Sequence, residues 1–134
     1  MDAAVHPAER ALNVLVYFPS GARVLAELVT TRPDIERGLM YRQRVSDGTG
    51  MLFDMGHVAP HKFWMVGTAV SLDMVFIGVV GQIVGIVENT VPYDPTLRGV
   101  DATSRYVLEV PGGWCARNGV VAGQRVTVVR VPGG

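Results

Sequence analysis

The chain has 134 residues, a length that suits one domain with a single core, and its twelve basic and twelve acidic residues cancel. A neutral balance does not favour nucleic acid, anionic lipid or an acidic partner, so we expect no nucleic-acid function. No stretch reaches the roughly 18 apolar residues that a membrane span needs. The N-terminus lacks the basic and then apolar pattern of a signal peptide. As written, the chain is therefore expected in the cytoplasm, with export possible if a leader has been removed.

Strand-like patterns recur from one end of the chain to the other. Period-two runs rich in Val, Ile and Phe are separated by Gly, Pro and Asn, which is typical of an antiparallel β domain. The predicted strands are 12–18, 23–30, 50–54, 62–66, 71–77, 82–88, 104–110 and 124–131. Sixteen glycines suit the turns and bulges of a sheet that curls. We predict a mainly β fold, a small antiparallel β-barrel-like domain that spans 1–134.

Two short helical segments interrupt the predicted strands. Thr31 is a suitable N-cap, and the proline and acidic residues that follow it fit a first helical turn, so a helix is predicted near 33–42. Gly38 inside that helix costs about 1 kcal/mol relative to alanine, which indicates close packing of the helix backbone on the sheet. A helical turn is predicted near 112–118. The segment 89–103 is predicted to be a long loop that could line a site.

Four linked motifs suggest a family relationship. They are Arg37-Gly38-Leu39-Met40, Gly50-Met51-Leu52-Phe53, Phe63-Trp64-Met65 and Leu72-Asp73-Met74. In order and spacing they resemble the family called domain of unknown function 192. The resemblance implies a small, mainly β, barrel-like domain with one short helix and no established activity. The family usually has Lys-Asn where this chain has Val66-Gly67, so a function that rests on that pair is not expected here.

Asp73 is the single carboxylate in the predicted strand 71–77. Its neighbours on both faces of the strand are apolar, which predicts a central strand that is buried on both sides. A buried carboxylate must be paired or must accept several hydrogen bonds. The candidate partners are Thr68, the turn at 66–67, and Arg37 or Arg42. We interpret Asp73 as a structural group in preference to an acid/base catalyst.

A pocket is predicted where helix 33–42, turn 66–70 and loop 89–103 converge. Its candidate ligand-binding residues are Arg37, Trp64, Thr68, Asp73 and Glu109. Two arrangements of Arg37 and Arg42 are left open: at least one pairs with Asp73 or Glu109, or both are solvated at the surface. The leading hypothesis is a non-enzymatic small-ligand-binding or accessory module whose partner is an unidentified small molecule or protein. No cofactor and no metal are predicted.

Two other functions are left open. One is a small hydrolase or isomerase that uses Asp73 as acid/base with His61 nearby, which requires a solvent-reachable carboxylate. The other is a copper site, because thioethers and imidazoles are ligands that Cu(I) selects. Its candidate ligands are Met51, Met55, His57, His61 and Met65. The motifs rich in Leu and Phe favour core methionines instead, and the two histidines are expected to be exposed loop residues.

Overall fold

The computed structural model of the chain describes residues 12–131. It is mainly β, and its elements are β1 (Leu12–Tyr17), β2 (Arg23–Val29), α1 (Arg32–Arg37), β3 (Thr49–Ala59), β4 (Lys62–Phe63), β5 (Leu72–Ile77), β6 (Ile83–Val87), β7 (Arg98–Gly99), β8 (Ser104–Pro111), α2 (Trp114–Arg117) and β9 (Thr127–Arg130). What was predicted for 1–11 and 132–134 lies outside the described residues. Neither of the two helices in the described part of the chain has the length and apolar character needed to cross a membrane.

The eight predicted strands are present, and their limits differ most at β3, β4 and β9. Strand β3 continues to Ala59, with a register shift in its pairing to β8 after Asp54. Strand β4 ends at Phe63 because the chain then leaves the ladder, and the N–H of Met65 donates to the carbonyl of Asp94. The two-residue strand β7 was not predicted, since Arg98-Gly99 carries no strand pattern.

The main sheet has seven strands in the order β6-β5-β8-β3-β2-β1-β9, and β4 pairs with β7 in a separate two-stranded ribbon. Neighbours in the main sheet are antiparallel except β2 and β3, which run parallel. The predicted antiparallel pairing therefore holds at the other five junctions and not at this one. The connection between β2 and β3 contains α1, and such a crossover returns the chain in the same direction.

The two outer strands of the sheet approach each other at one end. Gln82 forms an isolated antiparallel bridge with Arg125. Beside it, the N–H of Ile83 donates to the carbonyl of Gln124 at 2.7 Å, and the N–H of Val126 donates to the carbonyl of Gly81 at 2.8 Å. The sheet consequently curls into a barrel-like shape without closing fully.

The sheet has an apolar core on each face, because alternate residues of a strand point to opposite sides. The α2-side core lies within the curled sheet and contains Val14, Val16, Val24, Leu52, Val75, Leu108, Trp114 and Cys115. The α1-side core contains Val29, Leu39, Met51, Phe53, Met65, Leu72, Met74, Phe76 and Val107. In β5, Asp73 therefore faces α2, whereas Leu72 and Met74 face α1.

Helix α1 begins as predicted and ends earlier. The Thr31 hydroxyl accepts a hydrogen bond from the N–H of Asp34 at 3.4 Å, which caps the first turn. The helix ends at Gly38, whose φ of 49° is incompatible with an α-helix. A β-carbon at this position would lie 3.4 Å from the Phe53 ring. Gly38 thus packs closely on the sheet, as expected, but as the residue that ends the helix and not as an interior one.

Candidate functional site

Asp73 is a fully buried carboxylate that the main chain satisfies. All six residues of β5 are buried, and Asp73 is 0% exposed. One carboxylate oxygen, Oδ1, accepts the N–H of Asn89 at 2.9 Å and the N–H of Gly113 at 3.0 Å. The other, Oδ2, accepts the N–H of Cys115 at 3.0 Å. Asp73 therefore fastens β5 to the start of α2 and to the segment after β6.

The backbone around Asp73 is shaped to present these N–H groups. Asn89 has a φ of 53° and Gly113 a φ of 85°, both in the left-handed region. Asparagine and glycine are the residues that adopt this region most easily. The geometry gives both oxygens of the buried Asp73 hydrogen-bond donors from the main chain.

None of the predicted partners of Asp73 contacts it. The Thr68 hydroxyl donates to the carbonyl of Val66 at 3.3 Å, and the Arg42 guanidinium binds both oxygens of Glu27 at 2.6 and 3.0 Å. The reason is the alternation of β5, which points Asp73 towards α2. Helix α1 and the turn at 66–67 cover the opposite face.

The position of Asp73 contradicts its proposed role as an acid/base catalyst. That role requires exchange of a proton with a substrate in a solvent-reachable cleft. Asp73 is sealed, and Cys115 beside it is also 0% exposed. Burial, followed by the nearby Asp73 charge, raises the pKa of the Cys115 thiol far above its ordinary value. Asp73 and Cys115 are structural groups of the α2-side core.

A cleft of about 440 Å³ opens on the α1 side of the sheet. We call it the Glu109 cleft. Its buried floor consists of Leu39, Phe53, Met65, Thr68, Leu72 and Glu109. Its exposed mouth consists of Glu36, Arg37, Lys62, Trp64 and Leu97. The cleft lies where α1, the segment that follows β4 and the loop before β7 meet.

Four of the five candidate residues line this cleft, namely Arg37, Trp64, Thr68 and Glu109. Asp73, the fifth, lies on the other face of the sheet. Phe53 and Met55 also line the cleft and were not among the predicted residues. Their period-two spacing from Met51 was a usable signal, because it places all three side chains on the same face of β3.

Glu109 is the one buried carboxyl on the floor of the cleft. It lies in β8 between Met51 of β3 and Met74 of β5, and it is 4% exposed. Desolvation by burial raises its pKa to about 8 from an ordinary value of 4.5. Within residues 12–131, no side chain or backbone group forms a hydrogen bond or an ion pair with its carboxyl group.

The Glu109 carboxyl nevertheless has access to the cleft. Among the described residues, the only fully enclosed polar side-chain atom without a hydrogen-bond partner is Ser104 Oγ. The oxygens of Glu109 are therefore not completely enclosed, and the cleft is the space that they face. A buried acidic group in this setting is available to a bound molecule.

The charged residues at the mouth do not neutralise Glu109. In the described part of the chain, neither Arg37 nor Lys62 forms an ion pair, and Glu36 pairs with Arg32 at 3.3 Å. Among the described residues, neither Arg37 nor Arg42 pairs with Asp73 or Glu109. Arg42 binds Glu27, and Arg37 remains at the exposed mouth of the cleft.

Two tyrosines in an unusual backbone conformation flank the turn that carries Thr68. Tyr41 has a φ of 66° and Tyr93 a φ of 65°, which is rare and costly for a bulky residue. The N–H of Tyr41 donates to the carbonyl of Gly67 at 2.9 Å, and the N–H of Tyr93 donates to the carbonyl of Thr68 at 3.0 Å. These two bonds hold the turn that brings Thr68 to the floor of the cleft. Neither tyrosine carries a sequence signal for positive φ.

Three of the methionines lie in the α1-side core, and both histidines contact main-chain carbonyls. Met51, Met65 and Met74 are at most 3% exposed and belong to the α1-side core, as the core interpretation predicted. His57 is exposed, but His61 is buried, so the expectation of two exposed histidines is wrong for His61. A ring nitrogen of each contacts a backbone carbonyl, at 3.0 and 3.1 Å. Across residues 12–131, no three His, Cys, Asp or Glu side chains are grouped to hold a metal ion.

Comparison with solved structures shows close relatives of this fold. One is a protein from Sinorhizobium meliloti 1021 whose name proposes a role as a transcription regulator; the two share 36% sequence identity and a TM-score of 0.81, over 87% of this chain and 92% of that one. Another is a protein of unknown function from Novosphingobium aromaticivorans DSM 12444, with 35% identity and a TM-score of 0.81, over 92% and 91% of the two chains. No curated protein matches this chain.

The family relationship follows from the matched part of the chain. The model of domain-of-unknown-function family 192 (DUF192), described as an uncharacterized ACR, matches residues 16–128. This range includes both helices, all the motifs that suggested the family, and every residue of the Glu109 cleft. The chain belongs to the DUF192 family.

Proposed function

We propose that the protein is a non-enzymatic binding module that holds a small organic molecule in the Glu109 cleft. The observation that carries this proposal is the Glu109 carboxyl, which is 4% exposed, has no partner among the described residues and faces a cleft. Burial of an unpaired acidic group is costly. Such a group is commonly retained where a ligand completes its hydrogen bonds.

The dimensions and walls of the cleft support a small molecule as its occupant. Sites for small ligands usually measure about 300–1,000 Å³ and have mainly apolar walls with a few polar groups. The Glu109 cleft has a volume of about 440 Å³, and its floor is apolar apart from Thr68 and Glu109. A ligand with an apolar body fits these walls.

The charge distribution favours a small molecule over nucleic acid, although the name of the Sinorhizobium protein proposes a role in transcription. Nucleic-acid binding relies on clustered cations that contact phosphates. The chain has no net charge. In addition, Arg32, Arg42, Arg98, Arg105 and Arg117 each pair with a carboxylate of the same chain. These arginines are engaged within the protein.

A fragment screen by NMR tests the proposal. The ¹⁵N-labelled protein is titrated with a library of cationic, anionic and neutral fragments, and the backbone amide shifts are mapped. We expect at least one fragment to shift the amides of Gly38, Phe63, Met65 and Thr68. A second cleft of about 320 Å³, lined in part by 44–46, serves as an internal comparison. Absence of any fragment that acts at the Glu109 cleft would refute the proposed function.

A matched pair of variants on β3 separates cleft binding from surface binding. Met55 lines the cleft, whereas Val58 on the same strand is 51% exposed and does not. Met55→Trp places a larger side chain in the cleft and should abolish fragment binding. Val58→Trp should leave fragment binding unchanged. An equal loss of fragment binding in the two variants would contradict binding within the cleft.

A further inference from the structure

We infer that the ligand of the Glu109 cleft is an organic cation, a primary ammonium group on an apolar body, and that the ammonium group binds the Glu109 carboxylate. The inference rests on the proposed binding function of the same cleft and specifies the chemical class of its ligand. Three observations support it. Glu109 has no hydrogen-bond donor among the described residues, its neighbours on the adjacent strands are methionines, and it lies on the buried floor of the cleft.

Glu109 lacks hydrogen-bond donors. An ionised carboxylate has two acceptor oxygens and needs donors, and none of the described residues supplies one. Its neighbours on the adjacent strands, Met51 and Met74, have no N–H or O–H on their side chains. A primary ammonium group brings three donors and a compensating charge. It therefore supplies the groups that this site is missing.

Other charged residues are present only at the mouth of the cleft. Helix α1 contributes Glu36 and Arg37, and β4 contributes Lys62. The loop before β7 contributes the apolar Leu97, and β3 and β5 present methionines to Glu109. Because Glu36, Arg37 and Lys62 are exposed, water and salt screen their charges. Glu109 is thus the only ionisable group among the floor residues, and it sets the preference for a ligand headgroup there.

Binding of a cation should be coupled to loss of a proton from Glu109. In the empty cleft the pKa of Glu109 is about 8, so the carboxyl is mainly protonated at pH 6. An ammonium ion binds the ionised form, and the proton is released to solvent. Below pH 8 the affinity for the amine should rise about tenfold per pH unit, and it should level off above pH 8 while the amine stays charged.

Three ligands with one apolar body and different headgroups test the inference. They are 4-phenylbutylamine, 4-phenylbutanol and 4-phenylbutanoate, titrated while tryptophan fluorescence is recorded. Trp64 lies at the mouth and is 50% exposed, whereas Trp114 is 3% exposed in the other core, so a ligand changes mainly the Trp64 signal. At pH 8.5 the amine should bind at least tenfold more tightly than the alcohol or the carboxylate. This advantage should shrink towards pH 6.

Two variants test whether Glu109 causes the preference for the amine. Glu109→Gln keeps the shape of the side chain without its charge and should remove the tenfold preference for the amine, while the alcohol still binds. Asp101→Asn removes an exposed carboxylate that does not line the cleft and should leave the preference intact. The pH dependence of the unaltered protein provides a measurement that does not depend on the folding of either variant.

The outcomes distinguish this inference from the proposed function. Equal affinities for the three ligands, an amine affinity that does not change between pH 6 and 8, or a preference that survives Glu109→Gln would each overturn the cation assignment. Binding of other fragments to the cleft without any of these amines would also overturn it, yet would leave the binding function supported. Failure of every fragment in the NMR screen would refute both.

Discussion

Glu109 should make the stability of the protein depend on pH in a predictable direction. Its pKa is about 8 in the folded protein against an ordinary value of 4.5. Between these values the folded protein holds a proton that the unfolded chain has lost, so stability falls as pH rises and becomes level above pH 8. The difference of 3.5 pKa units, at 1.36 kcal/mol per unit, corresponds to at most about 5 kcal/mol. Water that enters the cleft reduces this figure.

Urea unfolding of the unaltered protein and of Glu109→Gln at pH 5.5, 7 and 9 measures this effect. Glutamine has the same shape and does not titrate, so the variant should gain stability relative to the unaltered protein as pH rises. The gain should be small at pH 5.5 and reach several kcal/mol, and at most about 5 kcal/mol, at pH 9. Glu36→Gln, an exposed carboxylate at the mouth of the cleft, is the control. Parallel pH profiles for the unaltered protein and Glu109→Gln would refute the reasoning.

Three further predictions concern the structural residues. Asp73→Asn should lower the free energy of unfolding by about 1–3 kcal/mol in urea, since an amide NH₂ cannot accept a hydrogen bond from one of the three buried N–H groups. Asp101→Asn, at an exposed position, should change this free energy little. Equal stabilities of the two variants would contradict the assigned role of Asp73. Gly50→Ala should cost far more than Gly48→Ala, because a β-carbon at Gly50 would clash with the Glu109 carbonyl oxygen. A β-carbon at Gly48 meets nothing within 4 Å, so only the strain of its φ of 79° remains. Similar melting temperatures would count against this packing. Cys115, buried and with a raised pKa, should react with a thiol reagent only after the protein unfolds, and rapid labelling of the native protein at pH 8 would show that the α2-side core is open.

The strands and the start of α1 could be predicted because their signals are local. Period-two apolar runs locate the strands, and the cap at Thr31 with the proline and acidic residues after it locates the helix. The same alternation predicted that β5 is buried on both faces, and all six of its residues are. Gly38 and Gly50 belong to the motifs that suggested the family, and both lie where a side chain would meet a neighbouring strand.

The partners of buried groups could not be predicted, because they come from distant parts of the chain. Asp73 is 40 residues from Gly113 and 42 from Cys115, and nothing local indicates that their N–H groups meet its carboxylate. The predicted helix 33–42 is longer than α1, because the sequence does not distinguish a glycine that ends a helix with a positive φ from one inside a helix.

The family, the mainly β character and four of the residues that line the cleft follow from the sequence alone. Tertiary structure decided which of two buried carboxylates faces a cleft. Asp73 and Glu109 lie on neighbouring strands, but their side chains point to opposite faces of one sheet. One face brings three backbone N–H groups to Asp73, whereas the other leaves Glu109 among methionines beside an opening. That difference depends on strand register and on what covers each face, and both are properties of the assembled sheet.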